Sequence, residues 1–179
     1  YDKAFARPGT YSSLTFILND TIHFDRNYQH EVSGPTDYFY NTVNTVMYEN
    51  AYYAMDNEFL AAVSTYFNTD TQWEVLVYVN SLLQIVQNGS ATPGYFTVNL
   101  DYPLPLAKGD LFEIIFRITV DGDVGFPISE YMSLNKLTYS PNMSFVSYDD
   151  GKTWYDLYDL IHYYPSPYYF NHHYNSQVA

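Results

Sequence analysis

The stretch Leu111–Val120, LFEIIFRITV, constrains this chain more than any other. Phe112, Ile114, Phe116, Ile118 and Val120 fall on one face of an extended segment; Leu111, Glu113, Ile115, Arg117 and Thr119 fall on the other. A period of two with one wholly apolar face marks a β-strand buried on one side. Gly109-Asp110 before it and Asp121-Gly122-Asp123 after it are turn residues. Burying such side chains is worth at most about 1.5–3 kcal/mol each, so the strand demands a second apolar layer to cover it.

Shorter stretches repeat the pattern. Trp73, Val75, Val77 and Val79 share one face of Trp73–Val79, with Glu74, Leu76 and Tyr78 on the other. Asn80-Ser81 predicts a turn into Leu82–Val86, which makes the pair a hairpin. Tyr38–Ala54 reads as extended, because Asn41, Asn44 and Asn50 are poor helix formers. Phe59–Phe67 reads as a strand, with a short helix over Glu58–Val63 as the competing reading. Asn88–Gly94 is expected as a loop, Tyr95–Leu100 as a strand and Pro103–Leu106 as an edge segment. Gly125–Ile128 is expected to be irregular and Asn135–Met143 a polar loop, and Ser144–Tyr148 and Thr153–Leu157 flank a turn. Leu14–Leu18 is an isolated strand that can pair within the chain or add to the edge of a neighbour's sheet. His162–Tyr174, rich in Tyr and Pro, reads as loop or edge.

Many short, turn-bounded strands without a persistent helix predict an all-β fold, an antiparallel β-sandwich, jelly-roll-like, with an extended N-terminal segment. An immunoglobulin-like sandwich is the alternative. The expected division is residues 1–28 as an N-terminal extension or linker, the tail of a preceding unit plus one strand, and 29–179 as the sandwich.

Charge and composition narrow the function. The formal net charge is -13, from 20 Asp+Glu against 7 Lys+Arg, so neither nucleic acid nor an anionic membrane surface is an expected partner. No apolar run reaches membrane-spanning length. There is no cysteine, which removes disulfides, thiolate metal sites and a cysteine nucleophile. The 22 tyrosines suit half-buried strand positions, and they also suit a recognition surface.

The motifs are local. Ser147-Tyr148-Asp149-Asp150-Gly151-Lys152-Thr153-Trp154 fits S-x-D-x-G-x-T-W, the Asp-box pattern. In such a turn the Asp149 carboxylate accepts backbone N–H bonds, Gly151 takes the positive φ, and Trp154 packs beneath. Ser147, Asp149, Gly151, Thr153 and Trp154 are therefore expected to staple a hairpin. Trp154, Tyr155 and Trp73 are the candidate ligand-binding platforms. Asp121 and Asp123, with Glu130 completing the shell, form the candidate calcium site, a metal that takes about six to eight oxygens; an ordinary turn is the competing reading. His23, His30, His162, His172 and His173 lack the spacing of a zinc helix. Sequons at Asn19, Asn88 and Asn142 are candidate N-glycosylation sites.

From Leu60 onward the chain resembles a known family. LAAVSTYF (Leu60–Phe67), PLAKGDLFEIIFRITVDGD (Pro105–Asp123), FPISE (Phe126–Glu130), SFVSYDDGKTWYDLYDL (Ser144–Leu160) and NSQVA (Asn175–Ala179) carry the likeness. They are similar to the lectin-like β-sandwich domain found C-terminal to papain-like cysteine peptidases and in adhesin-like surface proteins of methanogenic archaea. Tyr1–Pro8 is similar to the trailing end of a papain-like domain. The resemblance implies a noncatalytic extracellular module at the cell surface that binds glycan or cell-wall polymer and positions an attached peptidase. The peptidase's own Cys, His and Asn have no counterparts here. A structural surface protein or filament subunit, self-associating by β-strand addition through the N-terminal strand, is the competing expectation, and a hydrolase built on scattered carboxylates ranks last.

Overall fold

A computed structural model of the chain describes residues 24–30, 35, 37–129, 140–159 and 177–178. Among them lie eleven strands. β1 (Asp37–Asn41), β2 (Thr45–Tyr53), β3 (Glu58–Phe67), β4 (Thr71–Val79), β5 (Leu82–Ala91), β6 (Gly94–Leu106), β7 (Leu111–Thr119) and β8 (Val124–Ser129) form the body. β9 (Ser144–Ser147), β10 (Tyr155–Asp156) and β11 (Gln177–Val178) are short additions.

The pairing is nested. β1 pairs with β8, β2 with β7, β3 with β6 and β4 with β5, all antiparallel. One layer is the six-stranded sheet β10-β9-β2-β7-β4-β5. The other is made of β3-β6 and β1-β8-β11, with β3 beside β8. A chain folded back on itself in this way, with alternate pairs sent to opposite layers, is a jelly roll. That is the expected topology, and the immunoglobulin-like alternative falls. Both the isolated strand at Leu14–Leu18 and the Tyr-rich segment His162–Tyr174 lie outside the described residues.

The core sits between the layers. Val46 and Tyr48 from β2, Val75 and Val77 from β4, Phe116 and Ile118 from β7 and Val146 from β9 face Val63, Phe67, Val98, Leu104, Val124 and Phe126. β7 is central in its sheet, between β2 and β4, which is why its sequence alternates so cleanly. The Tyr48 hydroxyl, fully buried, bonds Thr65 Oγ1 at 2.9 Å across the layers, and Gln87 on β5 bonds Asp101 on β6 through both backbone and side chain.

Asn80 and Ser81 turn β4 into β5 with φ of 50° and 66°, the left-handed pair a two-residue hairpin needs. Two expectations need correction, for one reason. Asn88–Gly94 is not a loop: β5 runs to Ala91. Gly89 pairs with Trp73, and a Cβ there would come 2.7 Å from the indole, so the glycine makes room for a ring rather than a turn. Likewise residues 125–128 are not irregular but belong to β8, where Gly125 pairs with Tyr40 and a Cβ would meet that ring at 2.9 Å. The helical reading of residues 58–63 also fails, because β3 pairs with β6 along its whole length, with a bulge between Leu60 and Ala62.

Candidate functional site

Two clefts stand out, and they differ in what their polar groups are doing. The larger, about 880 Å3, is lined by residues 24–30 together with side chains of β2, β3 and β7. Its polar groups bind one another. Tyr28 donates its hydroxyl to Glu58 and accepts the Met55 N–H at 2.7 Å, and Arg26 lies 3.4 Å from Glu58. The Tyr28 ring meets Phe112 edge-on at 5.0 Å. His30 stacks on Tyr52 at 4.3 Å, and its Nε2 lies 3.1 Å from the Ala51 carbonyl oxygen. Burial pushes the His30 imidazole down to about 4, against a smaller upward pull from that carbonyl. This is a neutral, packed histidine at the foot of a segment tied across the sandwich.

The smaller cleft, about 400 Å3, lies on the outer face of the six-stranded sheet. Register builds it. Glu49 of β2 faces Ile115 of β7, which faces Leu76 of β4; one step along, Ala51 faces Glu113, which faces Tyr78. Glu49 and Glu113 are therefore diagonal neighbours on one face, roughly 7 Å apart by strand geometry. Over them laps the turn that follows β9. Arg117 Nε bonds Asp150 Oδ1 at 2.6 Å and pins that turn to β7. Met47, Glu49, Glu113, Ile115, Tyr78, Ser81, Asp150, Gly151 and Trp154 line the hollow so formed.

The turn itself is locally determined. Ser147 Oγ donates to Asp149 Oδ1 at 2.9 Å and accepts the Gly151 N–H at 2.9 Å; Asp149 Oδ1 also accepts the Thr153 N–H at 2.8 Å. Bonds from Thr153, its side chain foremost, hold the Asp149 carboxyl below the usual range. Gly151 has φ of 79°, and a Cβ on it would sit 3.3 Å from Met47 Sδ, so the turn rests directly on the sheet. The short β9–β10 ladder closes its base.

The electrostatics set this cleft apart. Glu49 is only 9 % exposed, and among the described residues no donor meets its carboxylate. Burial first, and the charge of Glu113 second, push it up to about 7. Burial also raises Glu113. Two acids share a low-dielectric hollow without a cation between them.

The three expected platforms do not converge. Trp154 lines the cleft, half-buried. Tyr155, its neighbour, is exposed and leans instead toward Tyr148, ring centres 6.3 Å apart. Trp73 is a correction: it lies in the core, 9 % exposed, against Phe96 at 5.6 Å, and can offer no face to a ligand. Alternation on β4 had already placed it with Val75 and Val77, so the signal was there. Asp121 and Asp123 stand exposed in the turn after β7, and Glu130 lies outside the described residues, among which no three acids or histidines gather as a metal site. Asn88, on β5, and Asn142, in a turn, are exposed; Asn19 lies outside the described residues. Glu49 was missed altogether, because one acid in TVMYENAYY carries no pattern of its own.

Comparison with known proteins bears on the whole arrangement. The profile described as Lectin like domain matches residues 27–165. No curated protein matches. Among solved structures, the cysteine protease and lectin-like domains of Cwp84, a surface layer associated protein of Clostridium difficile, match with TM-score 0.50 and 18% identity. That match covers 76% of this chain and 33% of the other, so this chain spans about a third of that relative's length. What the structural match shows is a shared fold.

Proposed function

Because this chain belongs to the lectin-like domain family, we propose that it is a noncatalytic extracellular accessory module that binds cell-surface or cell-wall carbohydrate and positions an attached peptidase. One observation carries the reading: a hollow on the outer face of the six-stranded sheet, with Trp154 on its wall and two carboxylates on its floor. An indole beside hydrogen-bond acceptors suits a sugar, whose C–H face lies on the ring while its hydroxyls donate. The solved relative joins a lectin-like domain to a cysteine protease in a surface-layer-associated protein, which favours a surface location and a peptidase neighbour for this chain too.

The jelly-roll body supplies rigidity. The acids and Trp154 stand on or above strands held by a continuous ladder, which keeps a shallow site in one geometry. The experiment is a glycan array and a cell-wall pull-down with the wild-type chain and Trp154→Ala. Binding that falls at least tenfold in a folded variant supports the reading. Absence of binding across the array at high protein concentration, or binding untouched by the substitution, overturns it.

A further inference from the structure

We propose that the outer-face cleft recognises a cationic sugar, a hexosamine residue with a free amino group, and that Glu49 and Glu113 receive its ammonium. This rests on the carbohydrate-binding reading and names the class of glycan. Glu49 points to it most directly. The residue is only 9 % exposed, its carboxylate opens onto the cleft, and no donor among the described residues meets it. Partial desolvation and the like charge of Glu113 both disfavour its ionised form, and a cation in the cleft relieves the second.

Among the described residues there is no internal answer. Glu113 approaches from β7 and is itself acidic; Tyr78 approaches from β4 with a single hydroxyl. Asp150 comes from the turn, and Arg117, the cation within reach of it, is spent on that aspartate at 2.6 Å. A neutral sugar would donate hydroxyls but leave both negative charges uncompensated. An ammonium supplies three donors and the missing charge together. The wall beside it is Trp154, an aromatic face that attracts a cation and stacks on a pyranose. A slender alkylammonium, such as a lysine side chain, would leave much of the roughly 400 Å3 hollow unfilled.

Protonation gives the inference its own readout. The Glu49 carboxyl ionises near 7, so a cationic ligand binds more tightly as pH rises toward that value and loses affinity above it as its own ammonium deprotonates. The test is titration calorimetry with glucosamine tetramer against N-acetylglucosamine tetramer, with tryptophan fluorescence followed in parallel, Trp73 being buried in the core. The proposal expects the free-amine oligomer to bind at least tenfold more tightly than the acetylated one. Its affinity should pass through a maximum near neutral pH, falling several-fold at about pH 5 as Glu49 takes up its proton and again at about pH 9 as the sugar ammonium loses one. Glu49→Gln and Glu113→Gln should each cost at least fivefold. Asp70→Asn, an exposed acid far along the chain, should cost nothing, which separates the site from the general pull of a chain of net charge -13 on a polycation.

Equal binding of both oligomers, or equal loss in Asp70→Asn, overturns the proposal. So does tighter binding of a lysine-rich peptide than of the glucosamine tetramer. If the array finds neutral glycans bound through Trp154 while the glucosamine tetramer is ignored, this inference fails and the carbohydrate reading stands. If no glycan binds at all, both fail.

Discussion

The two clefts teach opposite lessons about buried polar groups. The larger is more than twice the volume of the smaller, yet its chemistry is spent internally. Tyr28, Arg26 and Glu58 answer one another, and His30 is held neutral between Tyr52 and the Ala51 carbonyl. The smaller leaves Glu49 and Glu113 without a cation or donor among the described residues. Both regions perturb a titratable side chain by burial, but one does so to fill a fold and the other leaves a charge facing a hollow. Size ranks the clefts one way and unmet chemistry the other.

That contrast can be broken or sharpened by measurement. The largest effects come from the two perturbed groups, and they have opposite sign. Below pH 4.5 Glu49 is protonated in both states. From there to about 7 the unfolded chain releases a proton that the folded chain keeps, so stability falls as pH rises. The loss amounts to about 3 kcal/mol by pH 8, and Glu49→Gln should recover most of it, read by urea denaturation at pH 8, with little change at pH 4.5. His30 works from the acid side. Above 6.5 it is neutral in both states; down to about 4 the unfolded chain takes up a proton that the folded chain refuses. Its contribution therefore falls as pH drops, by about 3 kcal/mol, and because the two slopes are opposite over the shared window the wild type should be nearly flat between about pH 4.5 and 6.5, while Glu49→Gln, left with the His30 slope alone, should gain stability as pH rises there. A Glu49→Gln profile as flat as the wild type from pH 4.5 to 6.5 would remove the contrast.

Next in size is the strap. Tyr28→Phe keeps the ring on Phe112 but strips Glu58 and the Met55 N–H of a partner, and should cost about 2 kcal/mol. It should leave glycan affinity unchanged, since the larger cleft is scaffolding; a binding loss would move the site there. The smallest expected effect is in the turn. Gly151→Ala forces a side chain to φ of 79° and should cost about 1 kcal/mol, measured by thermal denaturation. Because that turn forms the rim of the smaller cleft, the same variant should weaken glycan binding more than it lowers stability.

Much of this molecule follows from chain order alone. Alternation in LFEIIFRITV requires a strand with one dry face, which β7 is; that it lies between β2 and β4 came from the pairing. Asn80-Ser81 dictates a hairpin, and S-x-D-x-G-x-T-W dictates a turn closed by Ser147 and Asp149, since all their partners lie within a few residues. These are short-range facts, and short-range chemistry settles them. What only the tertiary structure decided is everything that depends on a partner far along the chain. Gly89 and Gly125 read as loop-makers until Trp73 and Tyr40 are seen against them. Trp73 reads as a platform until the second layer covers it. Glu49 and Glu113, 64 positions apart in the numbering, become one site because β2 and β7 pair in a single register, and a slip of either strand by one residue would turn its acid into the core and part the pair.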